Sequence, residues 1–145
     1  MLTDLRGVPM FAGLDENAFN MLVQGARRMV FEPGAVILNE GENGVEFYLV
    51  TDGLVSVVKQ GPQGEVELAK VGVGESFGEM CILDNQPRTA SIRAEKVTVL
   101  LCLPRSVFHK LLEVAPIQFG ILVLNIARDL SGRLRRIDEV FAATH

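Results

Sequence analysis

Histidine is scarce in this chain, and its placement excludes more than its number. His109 and His145 are the only two, so the middle of the chain offers no histidine cluster for a metal-dependent oxygenase. Cysteine is as sparse: Cys81 and Cys102 lack the close spacing of a metal or redox pair and sit in apolar surroundings, which reads as two small buried thiols. There is no Walker phosphate loop, no Gly-x-Ser-x-Gly elbow and no dinucleotide fingerprint after a βα turn. A serine or cysteine nucleophile would have no histidine nearby, and the chain reads as non-enzymatic, with neither metal nor cofactor. Basic charge is not in excess either: 14 Lys and Arg face 18 Asp and Glu, a net charge of -4. That is the wrong sign for a protein whose main task is gripping nucleic-acid phosphates, so any anion site must be local. The start of the chain lacks a basic segment followed by an apolar one, and the longest nearly uncharged apolar run, residues 116–127, is shorter than the roughly 20 residues a bilayer needs. A soluble cytoplasmic protein with no membrane partner is expected.

What remains is an ordinary globular composition, with 145 residues, 48% of them hydrophobic and 22% charged. A chain of that length forms about one domain and buries roughly two-thirds of its unfolded surface. Hydrophobic spacing divides residues 1–145 into three stretches. In residues 1–25, Asp15 is the expected N-cap of a short helix running to Gln24, with Leu14 and Phe19 at staple spacing and Phe19, Leu22 and Val23 inward. Residues 26–103 show short apolar runs punctuated by Pro33-Gly34, Gly41 to Gly44, Asp52-Gly53, Gly61 to Gly64 and Gly72 to Gly74. Val66 and Leu68 alternate with charged neighbours, as do Ala90, Ile92 and Ala94 with polar ones, which predicts strands with one face buried. The fold class is therefore mainly β with flanking helices, a barrel or a double-sheet jelly roll.

Helical spacing returns in residues 104–142. Val107, Phe108, Leu111 and Leu112 predict a short amphipathic helix over 104–113, and Pro116 opens a longer one. On it Val123, Ala127, Leu130, Leu134, Ile137 and Phe141 step by four and three alternately, the spacing of a helix-pairing seam. Two readings stand: a homodimer through this helix, or a stripe docked on the β-domain. Gly132 interrupts the helix, at about 1 kcal/mol relative to Ala, as a close crossing, a hinge or a weakness. Arg128, Arg133, Arg135 and Arg136 suit the helix dipole and its solvent face better than a nucleic-acid contact.

The most distinctive segment spans residues 74–92. It sets Gly78 beside Glu79, follows them with an apolar stretch long enough for one helical turn, and places Arg88 just after Pro87 at the start of a strand. Gly78 lets the backbone approach a ligand, turn N–H groups and the Arg88 guanidinium suit a phosphate, and Glu79 suits a sugar hydroxyl. Singly, each signal is weak, since an Arg near a Glu is most often a surface ion pair. Jointly, after a β-domain bounded by glycine turns, they are far more specific.

This segment resembles the phosphate-binding cassette of the cyclic nucleotide-binding domain family, and the resemblance reaches upstream through residues 8–14, Glu32-Pro33-Gly34, residues 39–42, Phe47-Tyr48-Leu49-Val50 and Gly53-Leu54-Val55. It implies a β-roll with N-terminal helices, a short cassette helix and a long C-terminal helix. It also implies that Gly78 and Glu79 meet the ribose 2′-hydroxyl, that Arg88 pairs with the cyclic phosphate, and that Thr89 faces the phosphate. Phe77, Met80, Cys81 and Ala90 complete the cassette candidates. Arg133 is the candidate that caps the base from the long helix, with Leu134 and Arg136 as alternatives. Thr89 occurs in members that take cyclic GMP and in bacterial cyclic AMP binders, so the base stays open, with cyclic AMP favoured. Only four residues follow Phe141, too few for the helix-turn-helix of catabolite-activator-like regulators, and no DNA binding is expected of this chain. The expected function is a sensor that binds a cyclic nucleotide and signals through its C-terminal helix to an effector protein. The alternative is a ligand-free β-roll scaffold or dimerisation module.

Overall fold

A computed structural model describes residues 4–79 and 86–144. After two single 3-10 turns, Leu5–Gly7 and Pro9–Phe11, Asp15 opens helix α1 (Glu16–Gln24) by accepting a 2.8 Å hydrogen bond from the Ala18 N–H. Phe19 packs edge-on against Phe11, with ring centroids 5.4 Å apart, and the Arg6 guanidinium lies over its other side at 4.6 Å. Gly25 caps the helix end, where a Cβ would stand 2.5 Å from the Val107 side chain.

Eight strands follow: β1 (Arg27–Phe31), β2 (Val36–Leu38), β3 (Glu46–Asp52), β4 (Leu54–Gly61), β5 (Gly64–Gly72), β6 (Ser76–Phe77), β7 (Ser91–Ala94) and β8 (Thr98–Pro104). They form two four-stranded sheets, ordered β1-β8-β3-β6 and β2-β7-β4-β5, with every pairing antiparallel. Helix α2 (Arg105–Val114) and the long α3 (Pro116–Thr144) close the chain. This is the expected β-roll with flanking helices. Among the described residues no helix is long and apolar enough to cross a membrane.

Strand period two decides where the core lies. In β3, Phe47 and Leu49 point to a cluster shared with Phe11, Leu22, Phe108, Leu111, Leu122 and Ile126, while Tyr48 and Val50 point between the sheets toward Val55, Phe77, Ile92 and Leu100. Strand β8 divides in the same way, with Leu103 outward to the helices and Leu100 and Cys102 inward. Both faces of these strands are therefore buried, which explains their unbroken apolar runs.

Three expectations need correction. Val66 and Leu68 are 51% and 54% exposed rather than buried. Strand β5 is an edge strand, and its pairing with β4 slips by one residue as Val57 faces Ala69 and Val58 faces Glu67. Leu68 is the extra residue of a β-bulge, and both faces of β5 are exposed from Glu65 to Lys70, so neither alternating set is carried inward there. Leu112, expected inward, is exposed because the buried arc of α2 takes Val107, Phe108 and Leu111, and the next residue lies about 100° further round. The stripe that docks α3 is displaced from the predicted seam: Leu122 and Ile126 are buried, Leu130 is partly so, and Leu134 and Ile137 stand exposed. The first half of α3 is tied down further by Asn125, whose amide donates to the carbonyls of Met10 and Ala12 at 3.0 and 2.8 Å, and by Gln118, which accepts from the Asp15 N–H at 2.8 Å.

Candidate functional site

The segment that carries Gly78 and Glu79 is fixed by the short strand β6. Tyr48 and Phe77 face each other in the register, and their rings stack at 5.0 Å with a 16° interplanar angle. Upstream, the Gly74 N–H donates to Val50 O and the Val50 N–H to Glu75 O, both at 2.9 Å, so the chain enters β6 already aligned. Gly78 then adopts φ 84°, the left-handed conformation that glycine takes at no steric cost. A Cβ there would stand 3.0 Å from both Arg88 Nη1 and the Glu46 carbonyl oxygen, so the missing side chain also makes room for the arginine.

Arg88 is held by its own backbone. Its N–H donates to Glu42 O at 2.7 Å and its carbonyl accepts from the Gly41 N–H at 2.8 Å. Its Nη2 donates to the Glu46 carbonyl at 2.9 Å, whereas its Nε is buried with no partner among the described residues. Lys59 supports the next residue by donating from Nζ to Thr89 O at 2.6 Å. Glu79 is the opposite charge of the pair. Burial pushes its carboxyl above the usual carboxylate range, while its own backbone N–H and the guanidinium groups of Arg133 and Arg88 pull it back. Its Oε2 is buried with no partner among the described residues.

The third charge comes from α3. Arg133 bonds through Nη2 to the Ser76 carbonyl and to Asp129 Oδ2, the latter at 2.7 Å one turn back on the helix, and its Nε too is buried without a partner among the described residues. Phe77, Gly78, Glu79, Arg88, Thr89, Ala90 and Arg133 all line one cavity of about 240 Å³. Met80 and Cys81, and with them the short cassette helix, lie outside the described residues. Arg136 instead reaches Glu75 at the surface, 3.9 Å away, and Leu134 is exposed, so of the three capping alternatives only Arg133 enters the cavity wall.

Sequence reasoning missed the apolar wall. Leu38, Val57, Val71, Ile92 and Leu130 also line the cavity, and each reads in the sequence as ordinary strand or helix core, because nothing in a valine's identity says whether it faces another side chain or a hollow. The second thiol is as expected. Cys102 is free and buried, donates to the Glu46 carboxylate, and is pushed up to about 12 by burial first and by that carboxylate second, so it stays protonated.

One buried carboxylate, one guanidinium with an unused buried N–H and an apolar wall between sheet and helix fit a ligand that is anionic at one end, carries hydroxyls in the middle and is flat and apolar at the other. Among the described residues there is no group of acidic, His and Cys side chains able to hold a metal. Such a site, on a β-roll closed by a long helix, defines a class of ligand-binding domain. The family model described as "Cyclic nucleotide-binding domain" matches residues 28–114, and the chain belongs to that family. It is 38% identical over 109 residues to the human potassium/sodium hyperpolarization-activated cyclic nucleotide-gated channel 4, covering 75% of this chain and 9% of the channel. A cyclic nucleotide-binding domain from Methylobacillus flagellatus superposes with a TM-score of 0.86 at 25% identity, over 97% of this chain and 80% of that one. The regulatory domain of Toxoplasma gondii PKA, crystallised with cAMP, superposes with a TM-score of 0.68 at 29% identity, over 73% and 41%. The chain thus spans about a tenth of the channel it matches.

Proposed function

We propose that this chain is a non-enzymatic sensor that binds a cyclic nucleotide, cyclic AMP in preference to cyclic GMP, and passes the signal on through α3 to an effector protein. One observation carries the reading: Glu79 and Arg88, nine positions apart in sequence, border the same small cavity with buried polar atoms that have no partner among the described residues. A ribose 2′-hydroxyl donating to Glu79 and a cyclic phosphate accepting from Arg88 satisfy both. The preference for cyclic AMP is supported by the Toxoplasma regulatory domain, whose crystals contain it. In this reading Arg133 is the relay, since it joins the cavity wall to α3 and holds Ser76 O when no ligand competes for it. Ligand that draws Arg133 to itself biases the position of α3 by its differential affinity for the two arrangements.

Calorimetric titration with cyclic AMP, cyclic GMP and linear AMP tests the proposal. Cyclic AMP should bind most tightly, and linear AMP binding equally well would reduce the site to a generic phosphate pocket. The exposed stripe of Leu134 and Ile137 favours one addition, a homodimer through the C-terminal half of α3. Sedimentation with and without ligand tests that.

A further inference from the structure

Gly44 stands outside the cassette, in the loop before β3 that the reading above leaves without a role. A Cβ at Gly44 would lie 2.0 Å from Arg88 Nε and 2.1 Å from both Cζ and Nη2, inside the volume that the guanidinium occupies. Its backbone does not call for glycine: it is absent from the positive-φ residues, which include its neighbour Gly41 at 86°. The same segment grips the Arg88 backbone through both Gly41 and Glu42, so Arg88 cannot slide away from it as a unit. Only the side chain has freedom to move, and it is fixed at one nitrogen by the Glu46 carbonyl. Gly78 bounds the group at its Nη1. The guanidinium also forms a partition, lining the 240 Å³ cavity on one side and a second cavity of about 250 Å³, bordered by Asn43, Val45 and Tyr48, on the other.

We infer that Gly44 is a positioning residue for nucleotide binding: its missing side chain is the slot that aims the Arg88 guanidinium into the site rather than into the neighbouring cavity. The inference rests on the cyclic nucleotide reading above and adds to it a determinant lying 44 positions before Arg88 in the chain. A side chain at this position pushes the planar group aside while the backbone, which has no positive φ to hold, stays as it is. The outcome is a folded protein that has lost its phosphate contact.

The experiment compares the full chain with Gly44→Ala by calorimetric titration with cyclic AMP and cyclic GMP, by thermal melting without ligand, and by the 15N resonance of the Arg88 Nε, assigned from its loss in Arg88→Lys. Affinity for both nucleotides should fall at least tenfold, the ligand-free melting temperature should move by no more than a few degrees, and the Nε resonance should shift. A wild type that binds and a Gly44→Ala variant that binds within twofold of it, or an Nε resonance that does not move, overturns the inference and leaves the nucleotide reading standing. A wild type that binds neither nucleotide removes that reading, and the inference with it. Should Gly44→Ala not fold, the double variant with Arg88→Ala decides: recovery of a folded protein locates the clash at the guanidinium, and failure to recover overturns the inference.

Discussion

The same strands build two buried regions of different material. Between the helices and the β1-β8-β3-β6 sheet the cluster is wholly apolar, with Phe47, Leu103, Phe108 and Leu111 at 0% exposure and Phe47 against Phe108 edge-on at 5.6 Å. Between the two sheets the cluster holds Tyr48 and Cys102 and gives onto a cavity walled by Glu79, Arg88 and Arg133. Adjacent residues of β3 thus serve different ends, and the lesson is that the site is attached to the fold on one side only. Stability belongs mainly to the first region and ligand affinity to the second, so substitutions in the two should separate cleanly.

The largest separation should come from Phe108→Ala, which empties the centre of the apolar region. It should cost about 3 to 5 kcal/mol of unfolding free energy while leaving the nucleotide affinity of the folded fraction unchanged, as urea unfolding and calorimetry will report. A change of affinity equal to the loss of stability would merge the two regions into one. Next is Arg88→Ala, on the other side of β3. Removing the guanidinium should cost about 2 to 5 kcal/mol of binding with far less effect on unfolding, and an unchanged dissociation constant would break the proposed role.

Glu79 sharpens the comparison through pH. Its carboxyl is raised by burial, with Arg133 and Arg88 lowering it and Asp129 raising it, so the folded state holds a proton that the unfolded state releases at its ordinary pKa. Stability of the free protein therefore falls as pH rises from the ordinary carboxylate range through the raised value, and is relieved of this cost below it. Glu79→Gln should flatten that stretch of the stability curve, which chemical denaturation across pH will show. The same substitution should weaken nucleotide binding by about 1.5 to 3 kcal/mol, the range for a hydrogen bond to a charged group. A variant that keeps both the slope and the affinity would leave Glu79 without a part in either region.

The contrast between the regions also explains what could be read from residues alone. The apolar region announces itself: helix periodicity, the Asp15 cap and the Pro116 start give α1, α2 and α3 nearly to the residue. In the second region the charged candidates came from the joint pattern of Gly78, Glu79 and Arg88 and its resemblance to a known cassette, and Arg133 came from its place on the long helix as one of three alternatives. The apolar wall was not, since Val57, Val71 and Ile92 look like core. Gly44 looked like one more turn glycine, although it differs from Gly41 in needing no positive φ. The burial of Val66 and Leu68 was misread because an alternating pattern does not say that its strand lies at a sheet edge with both faces exposed. The split of α3 was hidden for a related reason: Leu122 and Ile126 lie one position from the seam residues Val123 and Ala127, and a stripe read by spacing alone does not say which of two adjacent rows meets the domain.

That split supplies the smallest effect. Leu134 is 60% exposed on the C-terminal half of α3, so Leu134→Glu should shift the unfolding free energy of a single chain by no more than about 0.5 kcal/mol. Its consequence lies elsewhere. If the exposed stripe pairs two copies, sedimentation should find wild type dimerising with concentration and Leu134→Glu monomeric throughout, with nucleotide affinity changed only as far as dimerisation and binding are linked. A wild type that stays monomeric at every concentration removes the pairing and leaves Leu134 and Ile137 as exposed residues of a helix whose inner half is fixed by Leu122, Asn125 and Ile126.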